Sequence, residues 1–400
     1  MQRVSLFGYG KTTQALAKIY PNAIFYDDKC TKPFIDQNGH KVKPSSDFES
    51  LYSDLEITSP GIAPSHPLIQ KAKNLISEYD IFTNTTPLKI WISGTNGKTT
   101  TTQMSDFLLK DKGSQAGGNI GTPLADLDNS SSIWVLETSS FTMHYTNKAK
   151  PNIYVLLPIK PDHLTWHGDM QEYINAKLKP LAMMREGEIA IIPDEYKDTK
   201  TSAHLVTYKS IDDIAAYFDI DTSKVKFKGA FLMDALLAMA VDKILFDRVD
   251  YDKINSFVID PHRQEELRDA KGRVWVNDTK ATNIDAAVAA LERYKNSFIH
   301  LILGGDDKGV DLNELFVYMK DKTLKIYNIG SNKEKLSNLA KEYNIEFELC
   351  KNLEDAVARI DKNLKDDEIA LLSPAAASLD EFKSYAHRGD LFKSKVKELK

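Results

Sequence analysis

Residues 88–100 read LKIWISGTNGKTT, and this stretch decides the fold. The apolar run Leu88 to Ile92 leads into Gly94-Thr95-Asn96-Gly97-Lys98-Thr99-Thr100, and a polar, helix-compatible segment follows. Strand, glycine loop and helix in that order make a phosphate-binding loop. The glycines let backbone N–H groups curl around phosphate oxygens, and the helix N-terminus adds a favourable dipole. Lys98 is placed to reach the outer phosphates, and the Thr99 hydroxyl to sit on Mg²⁺. The usual pattern has a glycine five residues before Gly97; Ile92 stands there, so the loop is the shorter G-x-x-G-K-T. With a strand ahead and a helix behind, it predicts a site for a nucleoside triphosphate.

A chain of 400 residues is too long for one ordinary core, and two or three domains are expected. Hydrophobic residues make up 42% and charged residues 27%, the balance of a soluble globular protein. A net charge of −5 argues against a general nucleic-acid binder. The two cysteines, Cys30 and Cys350, lie far apart without metal-ligand spacing, which argues against a disulfide framework or a zinc site. No apolar stretch is long enough to span a bilayer; Ile153 to Ile159 is short and carries a proline. The opening MQRVSLFGYG enters a strand and a glycine turn without the apolar region of a signal peptide. A cytoplasmic protein without a membrane partner is expected.

Outward from the loop, the chain reads as alternating strands and helices. Val4 to Phe7 and the turn Gly8-Tyr9-Gly10 lead to a helix over Thr13 to Ile19 and a strand over Ala23 to Tyr26. That strand ends in Asp27-Asp28, near where a dinucleotide fold keeps its ribose-binding acid. Thr13 stands at the third glycine of that fingerprint, so a plain structural turn remains the alternative reading. Strands are predicted at Leu55–Thr58 and Ile81–Thr83, closing a first α/β domain over residues 1–87. A second domain, 88–260, has apolar runs at Ile133–Leu136, Ile153–Leu157 and Ile189–Ile192, spaced for a mostly parallel sheet. A helix over Phe231 to Leu245 is expected to pack against it. The third domain, 261–400, alternates strands at Val274–Val276, Phe298–Leu303, Leu324–Ile329, Phe347–Leu349 and Ile369–Leu372 with helical patterns. The predicted class is α/β with three domains: a Rossmann-like first, a central P-loop ATPase-type parallel-sheet domain and a Rossmann-like third.

Chemistry-bearing residues gather at predicted strand ends. Glu137 follows Ile133-Trp134-Val135-Leu136, at the edge where open sheets place ligands. Such an acid holds Mg²⁺ directly or through water; the alternative is a helix N-terminal acid ahead of Thr138-Ser139-Ser140. Asp162-His163 follows the next strand. One histidine there is usually structural, but His163 shares a predicted sheet edge with Lys98 and Glu137. Lys177, on composition, is a solvated helix lysine. In the third domain Pro261-His262-Arg263, Asn277 to Asn283, Gly304-Gly305-Asp306-Asp307-Lys308 and Ser373-Pro374-Ala375-Ala376-Ala377-Ser378 lie beside or after strands. Their cations suit phosphate or carboxylate recognition, and their small residues permit close approach of a ligand.

Taken in order, these segments resemble the Mur ligase family, ATP-dependent amide-bond-forming enzymes of peptidoglycan synthesis. The resemblance runs through SPGI at Ser59–Ile62, GTNGKTT at Gly94–Thr100, GNIGTP at Gly118–Pro123 and ETSSF at Glu137–Phe141. It continues through Asp162-His163, Tyr173 with Ala176-Lys177, PHR at Pro261–Arg263, NDTKATN at Asn277–Asn283, GGDDKG at Gly304–Gly309 and LLSPAAASLDEF at Leu371–Phe382. NDTKATN and SPAAASLDEF point to the branch that adds D-glutamate to UDP-N-acetylmuramoyl-L-alanine, and the DNPR box of the lysine-adding or diaminopimelate-adding relatives is absent.

The resemblance implies roles. Gly94, Thr95, Asn96, Gly97, Lys98, Thr99 and Thr100 would hold the ATP phosphates, with Arg263, Asp278 and Lys280 closing over ATP. Thr99, Glu137, His163 and Lys177 would surround two Mg²⁺ ions, Lys177 as the family's carbamate-bearing lysine. Lys98, Glu137, His163 and Lys177 would be the catalytic set. Gly8, Gly10, Lys11 and Thr12 with Ser59, Pro60 and Gly61 would bind the uridine nucleotide, and Asn119, Ser139 and His163 the muramoyl part. Thr282, Lys308, Ser378, Leu379 and Tyr385 would bind D-glutamate, Tyr385 standing where phenylalanine is usual. A swing of the third domain about a hinge near Asp260-Pro261 is implied, and a monomer is expected. The family's G-x-H-N segment is replaced by Gly229-Ala230-Phe231-Leu232-Met233, and the interval from His163 to Lys177 is one residue short. A relative adding glutamate to folate is disfavoured by the N-terminal domain and by SPAAASLDEF. A UDP-sugar sensor without chemistry rests on the altered G-x-H-N segment alone.

Overall fold

The computed structural model describes residues 2–399. They form three α/β domains, each around one six-stranded sheet. The first sheet comprises β1 (Val4–Phe7), β2 (Ile24–Asp27), β3 (Phe34–Ile35), β4 (Lys41–Pro44), β5 (Leu55–Thr58) and β6 (Leu75–Ile76), in the order β3-β4-β2-β1-β5-β6. Only β3 runs antiparallel. The second holds β7 (Leu88–Ser93), β8 (Ser114–Gly118), β9 (Ile133–Glu137), β10 (Ile153–Leu156), β11 (Ile189–Pro193) and β12 (His204–Tyr208), all parallel, in the order β12-β11-β10-β7-β9-β8. The third has β13 (Glu265–Arg268), β14 (Val274–Asn277), β15 (Ile299–Leu303), β16 (Leu324–Asn328), β17 (Phe347–Leu349) and β18 (Ile369–Leu372), in the order β13-β14-β18-β15-β16-β17. There β13 alone is antiparallel.

Packing divides the chain into two compact units. The first runs through Ile159 and resumes over Trp166–Phe257; the second combines Lys160–Thr165 with the chain from Val258 on. In the first unit the first two sheets share a core. Tyr79 meets Trp91 edge-on with ring centres 4.9 Å apart, and Phe82 meets Trp134 at 5.8 Å. Such aromatic pairs add stabilisation beyond the area they bury.

Strand runs with continuous apolar character were legible because both faces of a parallel sheet are covered. Three local expectations differ. Ile81–Thr83 is not a strand: the Ser77 hydroxyl accepts the Tyr79 N–H at 3.2 Å and caps a helix over Glu78–Ile81, while the strand is β6. The first helix spans Lys11–Leu16, starting two residues early, because Thr13 closes its turn. The Thr13 hydroxyl donates to Gly8 O at 2.7 Å and accepts the Gly10 N–H at 3.2 Å. The long helix Gly229–Phe246 packs on helices Lys98–Leu109 and Ile211–Phe218, and is buried without a break from Asp234 to Asp242.

Candidate active site

β7 delivers the phosphate loop to the carboxyl edge of the second sheet, where a parallel sheet places its ligands. Gly94 has φ +139°, and a Cβ there would lie 2.6 Å from Leu157 Cβ. Gly97, the N-cap of helix Lys98–Leu109, has φ +80° and is crowded by Leu157 and Asp234. Only glycine fits either place. Asp234 comes from the long helix and accepts the Thr101 hydroxyl at 3.1 Å. The Lys98 ammonium folds back onto the loop, donating to Thr95 O at 2.7 Å. Thr99 is half-buried in the first helical turn.

Helix Met170–Met183, capped by Asp169, brings Tyr173 and Lys177 beneath the loop, four residues apart on one face. Tyr173 OH and Thr95 Oγ1 are 3.0 Å apart. Lys177 donates to Gly94 O at 2.7 Å, and its ammonium lies 4.7 Å from the Tyr173 ring centre. It is 1% exposed, which corrects its reading as a solvated lysine. Nothing in local composition signals this, because the burial comes from helix Ser140–Tyr145 and β10 packing against the helix; Tyr154 OH donates to Lys177 O at 2.6 Å.

Glu137 ends β9 and is buried. The helix that follows begins at Ser140 with Ser139 as its cap, accepting from Thr142 N at 3.1 Å, so Glu137 lies outside the first turn. The dipole-acid alternative is thereby removed. Glu137 Oε1 accepts from Asn119 Nδ2 at 2.6 Å, and Oε2 is a buried carboxylate oxygen with no hydrogen-bond partner. A buried carboxylate oxygen without a donor is matched to a cation. Among the described residues no cluster of three or more His, Cys, Asp or Glu side chains forms a protein-only metal cage. A magnesium ion held by one carboxylate, a hydroxyl and phosphate oxygens needs none.

His163 does not join this group within the first unit. Residues Lys160–Thr165 pack with the second unit. There Asp162 pairs with Lys308 Nζ at 2.8 Å and accepts from Asn283 Nδ2 at 3.4 Å. His163 itself has φ +55°, with its N–H on Asp162 Oδ1 at 2.8 Å. Burial pushes the Asp162 carboxyl up, but Lys308, His163 and Asn283 outweigh it and hold the group below the usual carboxylate range.

In the second unit the loops after β14, β15 and β18 are laced together. Asp306 and Ala377 exchange backbone hydrogen bonds at 3.0 and 2.8 Å, and Gly304 N donates to Pro374 O at 2.9 Å. Asp278 accepts the Ser373 hydroxyl at 2.8 Å; burial pushes its carboxyl up to about 7, against the pull of Ser373 and the Gln264 N–H. Half-buried Arg263 lowers it further. Lys280 stacks its ammonium 3.8 Å from the centre of the Tyr385 ring. Thr282 is half-buried, Ser378 is buried and Leu379 is 73% exposed.

Sequence reasoning missed the residue that binds these loops, Arg388. It is fully buried in helix Tyr385–Glu398. Its guanidinium donates to Thr279 Oγ1 at 2.8 Å, Thr279 O at 3.0 Å, Ala376 O at 3.1 Å and Ala377 O at 3.4 Å. Burial lowers its pKa to about 10. Gly389 beside it leaves room for the His262 ring.

In the first sheet Gly8 has φ +85°, faces Ser59 and precedes Gly10, the N-cap of the first helix. The Tyr9 N–H donates to Asp27 Oδ2 at 2.7 Å. Lys11 reaches Gly121 O of the second domain, and half-buried Thr12 follows it. Ser59 N donates to Phe7 O at 2.8 Å, so the Ser59-Pro60-Gly61 turn sits beside the Gly8 turn. Phe231, Leu232 and Met233 are half-buried in the first turn of the long helix, with no polar side chain among them.

The middle of three α/β domains in chain order carries a phosphate loop at the carboxyl edge of a parallel sheet, the architecture of a nucleotide-binding protein. Family models agree: residues 92–234 match the Mur ligase middle domain and residues 262–376 the Mur ligase glutamate ligase domain. The chain belongs to the Mur ligase family. It is 52% identical over 402 residues to the UDP-N-acetylmuramoylalanine–D-glutamate ligase of Campylobacter jejuni, covering 99% of this chain and 100% of that one. Identity to the Helicobacter pylori protein of the same name is 46% over 419 residues, covering 98% and 99%. Among solved structures, the MurF ligase of Thermotoga maritima in complex with ADP superposes with a TM-score of 0.61 at 17% identity, covering 94% of each chain.

Two outcomes follow from the second unit. Replacing Arg388 by Met removes the guanidinium donor from Thr279 Oγ1, Thr279 O and Ala376 O, and each buried acceptor left unpaired costs about 1–3 kcal/mol. Urea unfolding of R388M, followed by tryptophan fluorescence, should show the corresponding drop in midpoint; a midpoint within error of the parent contradicts the role. For Asp278, the folded pKa of about 7 lies above the ordinary 3.8, so the folded chain holds the extra proton. Stability from this group is therefore complete below about pH 4 and lost as pH rises towards 7. Asp278→Asn should make stability fall less steeply across that window, measured by urea titrations at successive pH values.

Proposed function

We infer that this chain is the ATP-dependent ligase that joins D-glutamate to UDP-N-acetylmuramoyl-L-alanine in peptidoglycan precursor synthesis. The observation that carries the reading is the 52% identity maintained over 99% of the chain to a ligase of that name. A carboxylate is a poor acyl donor, which is the physical reason for ATP. The alanyl carboxylate attacks the γ-phosphate, giving an acyl phosphate and ADP. The D-glutamate amine then adds to the acyl carbon, and the tetrahedral intermediate expels inorganic phosphate to leave the amide.

The residues divide this work. The N–H groups of Gly94 to Thr100 cradle the phosphates, and Lys98 swings from Thr95 O to the transferred phosphoryl group. Arg263, Asp278 and Lys280 engage the nucleotide. Gly8, Gly10, Lys11, Thr12, Ser59, Pro60 and Gly61 hold the uridine diphosphate, with Asn119, Ser139 and His163 on the muramoyl part. Thr282, Lys308, Ser378, Leu379 and Tyr385 receive D-glutamate. Thr99 and Glu137, whose Oε2 lacks a donor, would hold one Mg²⁺, and the family resemblance adds His163 and a carbamylated Lys177 to the metal-binding set. Bound Mg²⁺ neutralises phosphate charge in the transfer. The working division is 1–87, 88–260 and 261–400, in a cytoplasmic monomer. Among the described residues no helix is long and apolar enough to cross a membrane.

The test is phosphate release from purified protein with ATP, Mg²⁺ and UDP-N-acetylmuramoyl-L-alanine, adding one amino acid at a time. Release is expected with D-glutamate, with a product heavier by one glutamyl residue. Lys98→Ala should lower turnover by about a thousandfold, the loss expected when a transition-state cation is removed. Silence of the parent protein with D-glutamate, or full activity of Lys98→Ala, contradicts the reading.

A further inference from the structure

The residues assigned to D-glutamate are incomplete in one respect. The amino acid carries two carboxylates and one ammonium. Lys308, Thr282 and Ser378 answer the carboxylates, and none of the five assigned residues carries a negative charge to answer the ammonium. A buried ammonium without an anion is costly, and charge-assisted hydrogen bonds are the strong ones. The second unit places one anion at the needed point. Asp162 is 5% exposed, and its Oδ1 lies 2.8 Å from Lys308 Nζ. Its Oδ2 faces Asn283, next to Thr282, at 3.4 Å.

Other nearby acids are differently placed. Asp307 is tied to Lys335 at 2.7 Å, and exposed Asp306 caps the Lys308 N–H at 3.0 Å. Asp380 accepts from Ser331 N at 2.8 Å.

We propose that Asp162 is the binding residue for the α-ammonium of the incoming amino acid, paired with Lys308 as the binding residue for its α-carboxylate. The inference rests on the D-glutamate reading above. In an amino acid the ammonium and α-carboxylate are borne on the same carbon, so an adjacent lysine and aspartate form a matched receptor for the pair. In the free protein the two side chains satisfy each other, which keeps two buried charges paired until substrate enters between them. The site then selects amino acids over simple diacids, because a diacid brings its two negative charges to Asp162 with no ammonium to offset them.

The test compares D-glutamate with glutarate, the same five-carbon diacid without the amine, on the full-length enzyme. The parent protein must first turn over D-glutamate; if it does not, the functional reading fails and this inference with it. In Asp162→Asn the KM for D-glutamate should rise roughly tenfold to a hundredfold, the loss expected for a charge-assisted hydrogen bond. The inhibition constant of glutarate should stay level or fall, because Lys308 is released and the repulsion removed. Lys308→Ala should weaken both ligands together. If Asp162→Asn weakens glutarate as much as D-glutamate, Asp162 acts only by holding Lys308 in place and the proposal is overturned. Should Asp162→Asn lose its far-UV circular dichroism, Asp162→Glu keeps the charge and displaces it by one methylene. It should still raise the D-glutamate KM several-fold more than the glutarate constant, and an equal shift in both overturns the proposal.

Discussion

The phosphate loop can keep its shape only because two backbone positions have no side chain. At Gly94 the chain passes against Leu157, and at Gly97 against Leu157 and Asp234. β10 contributes Leu157 just past its end, the long helix contributes Asp234, and helix Met170–Met183 contributes the Lys177 ammonium on Gly94 O. Three elements remote in sequence thus clamp seven residues, and a preorganised set of N–H donors costs little to reorganise when phosphate arrives.

Lys177 shows what such clamping does to a cation. Buried beneath the loop, it is held by a carbonyl and by the face of Tyr173. A lysine in this setting is poised between a structural role and a chemical one. Carbamylation would turn a donor into an acceptor, and Glu137 presents a buried carboxylate oxygen without a partner in the same unit.

Much of this was legible in the chain because parallel strands buried on two faces read as uninterrupted apolar runs, and because glycines at positive φ mark where backbone must approach a ligand. GTNGKTT and the strand-end acids were found that way. What escaped depended on tertiary contact. The helix at Glu78–Ile81 was set by a serine cap where the apolar pair Ile81-Phe82 invited a strand. Lys177 and Arg388 look like ordinary surface cations in polar helical stretches, and only the packing of distant loops buries them. His163 was expected beside Glu137 from strand order alone. Its segment is drawn into the second unit because Asp162 finds Lys308 and Asn283 there.

Arg388 and Asp162 solve related problems by opposite means. A guanidinium has five fixed donors and no acceptor, so it can cross-brace carbonyls from separate loops without any anion at hand. That makes Arg388 a permanent tie among the turns at Thr279 and Ala376-Ala377. An ion pair such as Asp162–Lys308 has only two partners, each of which a zwitterion can replace. Stiffness is therefore assigned to the group that no substrate can displace, and exchange to the pair that an amino acid mimics. A binding edge built this way stays rigid in its backbone while its charges change partners.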